Sequence, residues 1–374
     1  MSQQITISDI TPAQAEARRV MTICNACRYC EGYCPVFPAM TRRTQFDPAS
    51  LDFLANLCHN CNACYHACQY KPPHEFKVNV PEVLASVRIE SYEKYAWPQS
   101  IACAFTRNGL VLSLATAVTL ALVLGLALSL INADVMFAQN TAPGAFYTVI
   151  SHGLMNLVAG GTFGFSLLAL WIGGARYWRE AGLSWREFCR PANLIHAFLA
   201  AATLRHLGGG HGQGCNTADE SFSNQRRYYH QFTMWGFLLC FAATCVVTVY
   251  EYGFGWISPF PFFSMPVMLG TAGGIGLLVG PVGLFWLKLK SDPIPMLART
   301  YGMDYAFLAL LFLISLTGLS LLALRDTAAM GMLLAIHLGF VLALFIVLPY
   351  SKFVHSIYRF AALVQSAHES NSAP

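Results

Sequence analysis

Charge is what this sequence has least of: 11% of its 374 residues are Asp, Glu, Lys or Arg, against 55% hydrophobic. So apolar a chain cannot clothe itself in water, and much of its surface must face lipid. Other signatures are missing too. The opening Met-Ser-Gln-Gln-Ile-Thr-Ile-Ser-Asp has neither the basic start nor the apolar core of a secretory leader, so the N-terminus is expected in the cytoplasm. No C-x-x-C-H occurs, which argues against covalently attached c-type haem. No strand-led G-x-G-x-x-G is present, so no flavin or nicotinamide fold is expected and two-electron chemistry must occur on another polypeptide. No nucleic-acid partner is expected.

The charge that is present is uneven. It recurs through the first hundred residues, where eight of the thirteen cysteines lie between Cys24 and Cys68. Residues 1–100 therefore read as a soluble domain and residues 101–374 as a membrane domain. Cytoplasmic thiols are kept reduced, so so dense a cysteine cluster points to metal rather than disulfides.

Six segments reach the roughly 20 apolar residues that a transmembrane helix needs. Gly109–Ile131, Val149–Ala175, Tyr228–Tyr250, Val267–Leu287, Tyr305–Leu324 and Met330–Tyr350 contain no Asp, Glu, Lys or Arg. With the N-terminus inside, the loops carrying Arg176, Arg179, Arg186, Arg190, Arg205, Arg226 and Arg227, then Lys288, Lys290 and Arg299, then Lys352 and Arg359 all fall inside, and only Arg325 falls outside. Basic residues collect on the cytoplasmic side of short loops, so the expectation is a multi-pass protein of the cytoplasmic membrane with both termini inside. Within the long cytoplasmic connection 176–227, Asn193–Leu207 is apolar but too short to cross, and reads as an interfacial helix. The glycine-rich stretch 207–215 that follows is either a flexible turn or a loop that contacts a cofactor. Gly270–Gly276, inside a span, suits close helix packing.

Cys24-x2-Cys27-x2-Cys30-x3-Cys34-Pro35 is a bacterial ferredoxin run, and Cys58-x2-Cys61-x2-Cys64-x3-Cys68 repeats it, with Gln69 in place of the usual proline. Three closely spaced thiolates hold one [4Fe–4S] cube while the fourth reaches the other cube. Cys24, Cys27, Cys30 and Cys68 are thereby assigned to one cluster, and Cys58, Cys61, Cys64 and Cys34 to the second. Structural zinc, the competing reading, uses two pairs of ligands rather than two runs of four. Between the runs, Leu51–Leu57 has helical apolar spacing, which resembles the helical ferredoxin domains of succinate dehydrogenases and heterodisulfide reductases. Cys103, Cys189, Cys215, Cys240 and Cys245 lack ligand spacing and are expected to pack as small apolar residues. The fold class is an all-α membrane protein: a helical ferredoxin-like domain with two [4Fe–4S] clusters, then six transmembrane helices.

Clusters fixed at one membrane face pass electrons to quinone or to haem in the bundle. His337 and His355, 18 residues apart on the last helix and its cytoplasmic extension, are expected on one face, about 27 Å apart along the axis. That separation would let one helix serve two b-type haems, the outer with His152 and the inner with His230. His206 and His196 are the reserves, and a histidine satisfied by backbone is the plain alternative for each. His337 to His355 is similar to the last haem-binding helix of the nitrate reductase gamma subunit. Intramembrane acids that could form an ion path are not found.

As a set, the paired cysteine runs, Leu207-Gly-Gly-Gly-His-Gly-Gln-Gly-Cys215, Arg226-Arg-Tyr-Tyr-His230 with Trp235–Thr244, and Pro266–Gly274 resemble the tricarballylate utilization protein B family, also called CitB. This chain has Tyr229-His230 where the family pattern has two adjacent histidines. The resemblance implies an electron-transfer protein that reoxidises the flavin of an FAD-containing, fumarate-reductase-like dehydrogenase acting on tricarballylate, and passes electrons towards quinone. Two further functions stand beside it: a membrane subunit of a heterodisulfide-reductase-like complex, and a haem-free ferredoxin merely anchored by its helices.

Overall fold

The computed structural model describes residues 10–209 and 212–372. The opening segment on which the leader expectation rests, and Gly210 and His211 of the glycine-rich loop, lie outside it.

Helix starts in the N-terminal part are written by side chains. Thr11 and Gln14 form a capping box at α1 (Pro12–Cys27), with Pro12 in the first turn, where a missing N–H costs nothing. Arg28, in the left-handed conformation, ends that helix. After α2 (Val36–Thr41), Asp47 caps α3 (Pro48–Leu57) by accepting the Ser50 N–H at 2.7 Å. A single turn, α4 (Ala63–His66), precedes α5 (Val80–Tyr95), which Asn79 caps. Leu51 through Leu57 of α3 are all buried, so α3 is the central rod on which α1 and α5 pack. Each fully buried leucine there contributes on the order of 1.5–3 kcal/mol.

Next come α6 (Asn108–Leu130), the short α7 (Ala133–Met136) and α8 (Ala145–Val149), then α9 (His152–Glu180), α10 (Trp185–Phe188) and α11 (Pro191–Ala202). Two two-residue strands, β1 (Cys215–Asn216) and β2 (Phe222–Ser223), pair antiparallel and depart slightly from the all-helical expectation. The chain ends with α12 (Gln225–Phe254), α13 (Met265–Lys290), α14 (Tyr301–Leu324), α15 (Met330–Val347) and α16 (Val354–Asn371). Among the described residues, six helical segments are long and apolar enough to cross a membrane: α6, α9, α12, α13, α14 with its preceding 3-10 turn, and α15 with its following one. Where the expected interfacial segment lies, α11 turns Ile195, Phe198 and Leu199 outward, each more than half exposed. Glycines let α12 and α13 touch: a Cβ on Gly273 would stand 2.7 Å from the Gly236 carbonyl oxygen, and one on Gly276 2.9 Å from that of Phe232.

The expected unbroken helix from His337 to His355 is not there. Pro349 has no N–H to continue the ladder, Leu348–Tyr350 tighten into a 3-10 turn, and Ser351 is extended. α16 then packs against α3, α9 and α11 as a separate helix. The 27 Å spacing along one axis therefore does not apply.

α16 joins the two parts, because one hydrophobic core runs from α1 and α3 through α16 into the bundle. Tyr92 of α5 stacks on Tyr358 of α16 with centroids 5.5 Å apart. Arg43 grips Glu369 with two nitrogens, at 2.6 and 3.1 Å. The helix ends nearest the cysteines carry most of the basic residues: Lys352 pairs with Asp304 at 2.9 Å and Arg299 with Glu93 at 3.0 Å. At the far end Arg325 donates to the Phe260 carbonyl at 2.6 Å.

Candidate functional site

Cys24 and Cys27 occupy the last turn of α1, Cys30 the turn beyond it, and Cys34 the step into α2. Cys58 ends α3, Cys61 sits in a loop bent by left-handed Asn60 and Asn62, Cys64 is in α4 and Cys68 just after it. The fold crosses the runs. Cys24, Cys27, Cys30 and Cys68 line one pocket together with Cys64, walled by Ile23 and Phe37. Burial and then the neighbouring Cys30, Cys68 and Cys27 push the Cys24 thiol up to about 12. Cys34 is instead surrounded by Cys61 and Cys58, and it too is raised, first by burial. Thiols crowded this way resist ionising together; bound iron reverses that, because a coordinating thiol is deprotonated outright. Among the described residues no three His, Cys, Asp or Glu side chains stand close enough to hold a single metal ion.

The second set is the deeper one. Cys58, Cys61 and Cys64 are buried, whereas Cys24, Cys27, Cys30 and Cys68 are partly exposed. The loop after α11 helps to cover it: Asn216 donates its backbone N–H to the Cys61 carbonyl at 3.1 Å, and Cys215 packs with Cys61, Leu204 and Leu207. The Cys215 thiol donates to the Leu207 carbonyl at 3.3 Å, and its closeness draws Cys61 down from its ordinary value. So Cys215 is more than packing, and Cys103, Cys189 and Cys245 are exposed rather than packed.

The histidines fall into separate groups. His230 of α12 and His355 of α16 face each other with ring centroids 6.1 Å apart. Two metal–nitrogen bonds of about 2 Å plus two ring radii give roughly 6 Å, the spacing of imidazoles that share one metal ion. The Lys352 carbonyl takes the Nδ1 of His355, which leaves its Nε2 free, and the buried Nδ1 of His230 has no partner. His59 and His206 form a second pair, centroids 5.4 Å apart, beside the second cysteine set. His196 is exposed.

His152 and His337, expected to share an outer haem, lie among different side chains. His152 Nε2 meets Glu251 at 3.1 Å, its ring edge lies against Asn156, and the Glu251 carboxylate also accepts from Ser258 at 2.6 Å. The His337 Nδ1 meets Thr317 Oγ1 at 3.1 Å and the ring fills the space beside Gly318 of α14. Glu251 also shows that α12 carries an acid within its length, one residue beyond the expected end of the span.

Spacing alone did not bring out the arginines that join these groups. Arg226 and His230 are one turn apart on α12, and His355 and Arg359 one turn apart on α16, so each helix sends an imidazole to the pair and a guanidinium to the cysteines. Arg359 donates to the carbonyls of Cys58 at 2.9 Å and Asn56 at 3.4 Å. Arg226 donates to those of His59 at 3.3 Å and Asn60. Four residues of helix rise about 6 Å, so each imidazole of the pair lies one turn from an arginine that reaches the backbone of the second cysteine run. Burial, with the charge of Arg88 beside it, pushes Arg359 down to about 10.

Comparison with known proteins settles the kinship. The profile of citrate utilization protein B matches residues 104–374, and that of the citrate utilization protein B Fer4-like domain matches residues 17–94, which include all eight clustered cysteines. The chain belongs to the CitB family. Citrate utilization protein B of Escherichia coli is 51% identical over 360 residues, covering 96% of this chain and 93% of that protein. No solved structure matches. Family membership brings an iron–sulfur-type N-terminal domain and a multi-helix body with it.

Proposed function

We propose that this CitB-family chain is a membrane electron carrier that reoxidises the flavin of a partner dehydrogenase and delivers the electrons to quinone. Residues 1–100 are its cluster-bearing domain and residues 101–374 its membrane domain. Cys24, Cys27, Cys30 and Cys68 hold one [4Fe–4S] cluster, and Cys58, Cys61, Cys64 and Cys34 the other. Such clusters supply one-electron carriage, which divides the two electrons of a reduced flavin. His230 and His355 hold a b-type haem. Both nitrogens of His152 have other partners, so the reading takes one haem and not two.

The observation that carries the proposal is the connection between the buried cysteine set and the histidine pair. Cys58 and His355 are joined through Arg359 and one helical turn, so the centre nearest the membrane and the imidazoles within it form one continuous unit. A tethered ferredoxin without haem would need neither arginine nor the facing rings. The basic helix ends on the cysteine side support reading that side as the cytoplasmic one. The partner is a fumarate-reductase-like flavoprotein acting on tricarballylate or citrate-related acids, in keeping with the name of the Escherichia coli relative.

The test is anaerobic mixing of the full chain in lipid nanodiscs with a photoreduced flavoprotein of that type. Flavin reoxidation matched by bleaching of the chain's visible absorbance, and reversed by added quinone, is the expected result. Flavin that stays reduced contradicts the proposal.

A further inference from the structure

Three arginines from three elements close on one short stretch of backbone. Arg88 of α5 donates to the Ala55 carbonyl at 2.7 Å, Arg359 of α16 to Asn56 and Cys58, and Arg226 of α12 to His59 and Asn60. Every acceptor is a neutral carbonyl. Among the described residues none of the three makes an ion pair, and a buried nitrogen of Arg88 has no partner. Like charges gathered without a counter-charge are costly. The nearest compensation is the set of thiolates on Cys58, Cys61, Cys64 and Cys34.

The first set is surrounded differently. Each set has one sulfur that accepts a backbone N–H at 3.4 Å, Cys58 from Asn60 and Cys68 from Tyr70. Backbone donors therefore do not distinguish the two. Lys71, the cation beside Cys68, is occupied by the His66 carbonyl at 3.2 Å and Glu220 at 3.6 Å. Burial alone would make the second set the harder to reduce, since reduction adds negative charge; three fixed positive charges oppose this.

We propose that Arg88, Arg226 and Arg359 form a guanidinium clamp that makes the buried cysteine set the more easily reduced of the two, and so directs electrons from the exposed set inward. The inference rests on the reading that both sets hold [4Fe–4S] clusters. It gives the exposed set the role of meeting the donor and the arginines the role of setting direction.

Potentiometric titration of the full chain in detergent, equilibrated with a mediator and dithionite and followed by electron paramagnetic resonance, tests this. The wild type is expected to show two cluster signals, and in Cys61→Ser the signal left unaltered is the one of lower potential. Arg226→Gln and Arg359→Gln should lower the ratio of reduced to oxidised buried cluster at a fixed potential at least tenfold, about 59 mV for one electron, with the exposed cluster unmoved. Arg359→Lys, which keeps the charge and loses the fork, should keep most of the potential; a purely structural role would make it as harmful as Gln. Equal shifts of both signals, no shift, or a higher potential for the exposed set overturns the clamp. Should a variant lose its iron, the wild-type order assigned by Cys61→Ser decides. Wild type without iron and acid-labile sulfide would end the cluster reading and the clamp with it, whereas clusters present in the wrong order end the clamp alone.

Discussion

The Asn216 amide N–H and the Cys61 carbonyl oxygen meet at 3.1 Å, so a loop from between two membrane helices closes over a cysteine of the N-terminal domain. Gly214 makes that closure possible. Its φ of +108° is open to glycine alone at no cost, and a Cβ there would stand 2.2 Å from the Ser223 carbonyl oxygen. Gly214→Ala is expected to cost about 1–3 kcal/mol and to uncover the second set. Iron retained after a thermal challenge checks it: about half should be lost from the variant under conditions where the wild type keeps its full content. Equal retention contradicts the role given to the loop.

The two histidine groups make opposite predictions. His230→Ala or His355→Ala should abolish the reduced-minus-oxidised haem spectrum of purified protein, since a bis-imidazole site with one ligand removed does not hold its metal in place. His152→Ala should leave that spectrum intact, because Glu251 and Asn156 already occupy its ring. A haem lost only with His152 would restore the outer site and sink the inner one.

Acid should weaken the fold through His206. Burial, reinforced by the charges of Arg205 and Arg359, holds this imidazole down at about 4 from its ordinary 6.5. The folded state thus prefers the neutral ring. Its contribution is complete above the unfolded value and is lost as pH falls through 6.5 towards 4, where the unfolded chain binds the extra proton. Thermal unfolding between pH 7 and 4 should show His206→Gln with a shallower decline than the wild type, by up to roughly 1.4 kcal/mol per pH unit. Parallel curves would contradict the assignment.

Much of the site is legible in the sequence because its chemistry dictates spacing. A four-iron cube takes three near thiolates and a distant fourth, so a crossed grouping of Cys68 with Cys24 and of Cys34 with Cys58 can be read before any fold is known; in the structure Cys68 lies beside Cys24 and Cys34 beside Cys58, with Cys64 lining the first pocket as well. The long helices are equally legible, since length and apolarity are local properties. What escapes is set by three-dimensional meeting. Pro349 marks a break, but not that α16 comes to lie beside α3. Glu251, one residue past an expected span end, pairs with a histidine 99 positions away. Arg226 and Arg359 read only as cytoplasmic charges until both are found on neighbouring carbonyls of the 56–60 stretch, although the one-turn spacing to His230 and His355 was a signal available to find them.

Everything proposed depends on the eight clustered thiols gathering iron and sulfide. Full-length protein purified anaerobically is expected to contain about eight iron and about eight acid-labile sulfide per chain, falling to about half of each in Cys61→Ser. Protein that carries zinc on those thiols and no labile sulfide would contradict the account.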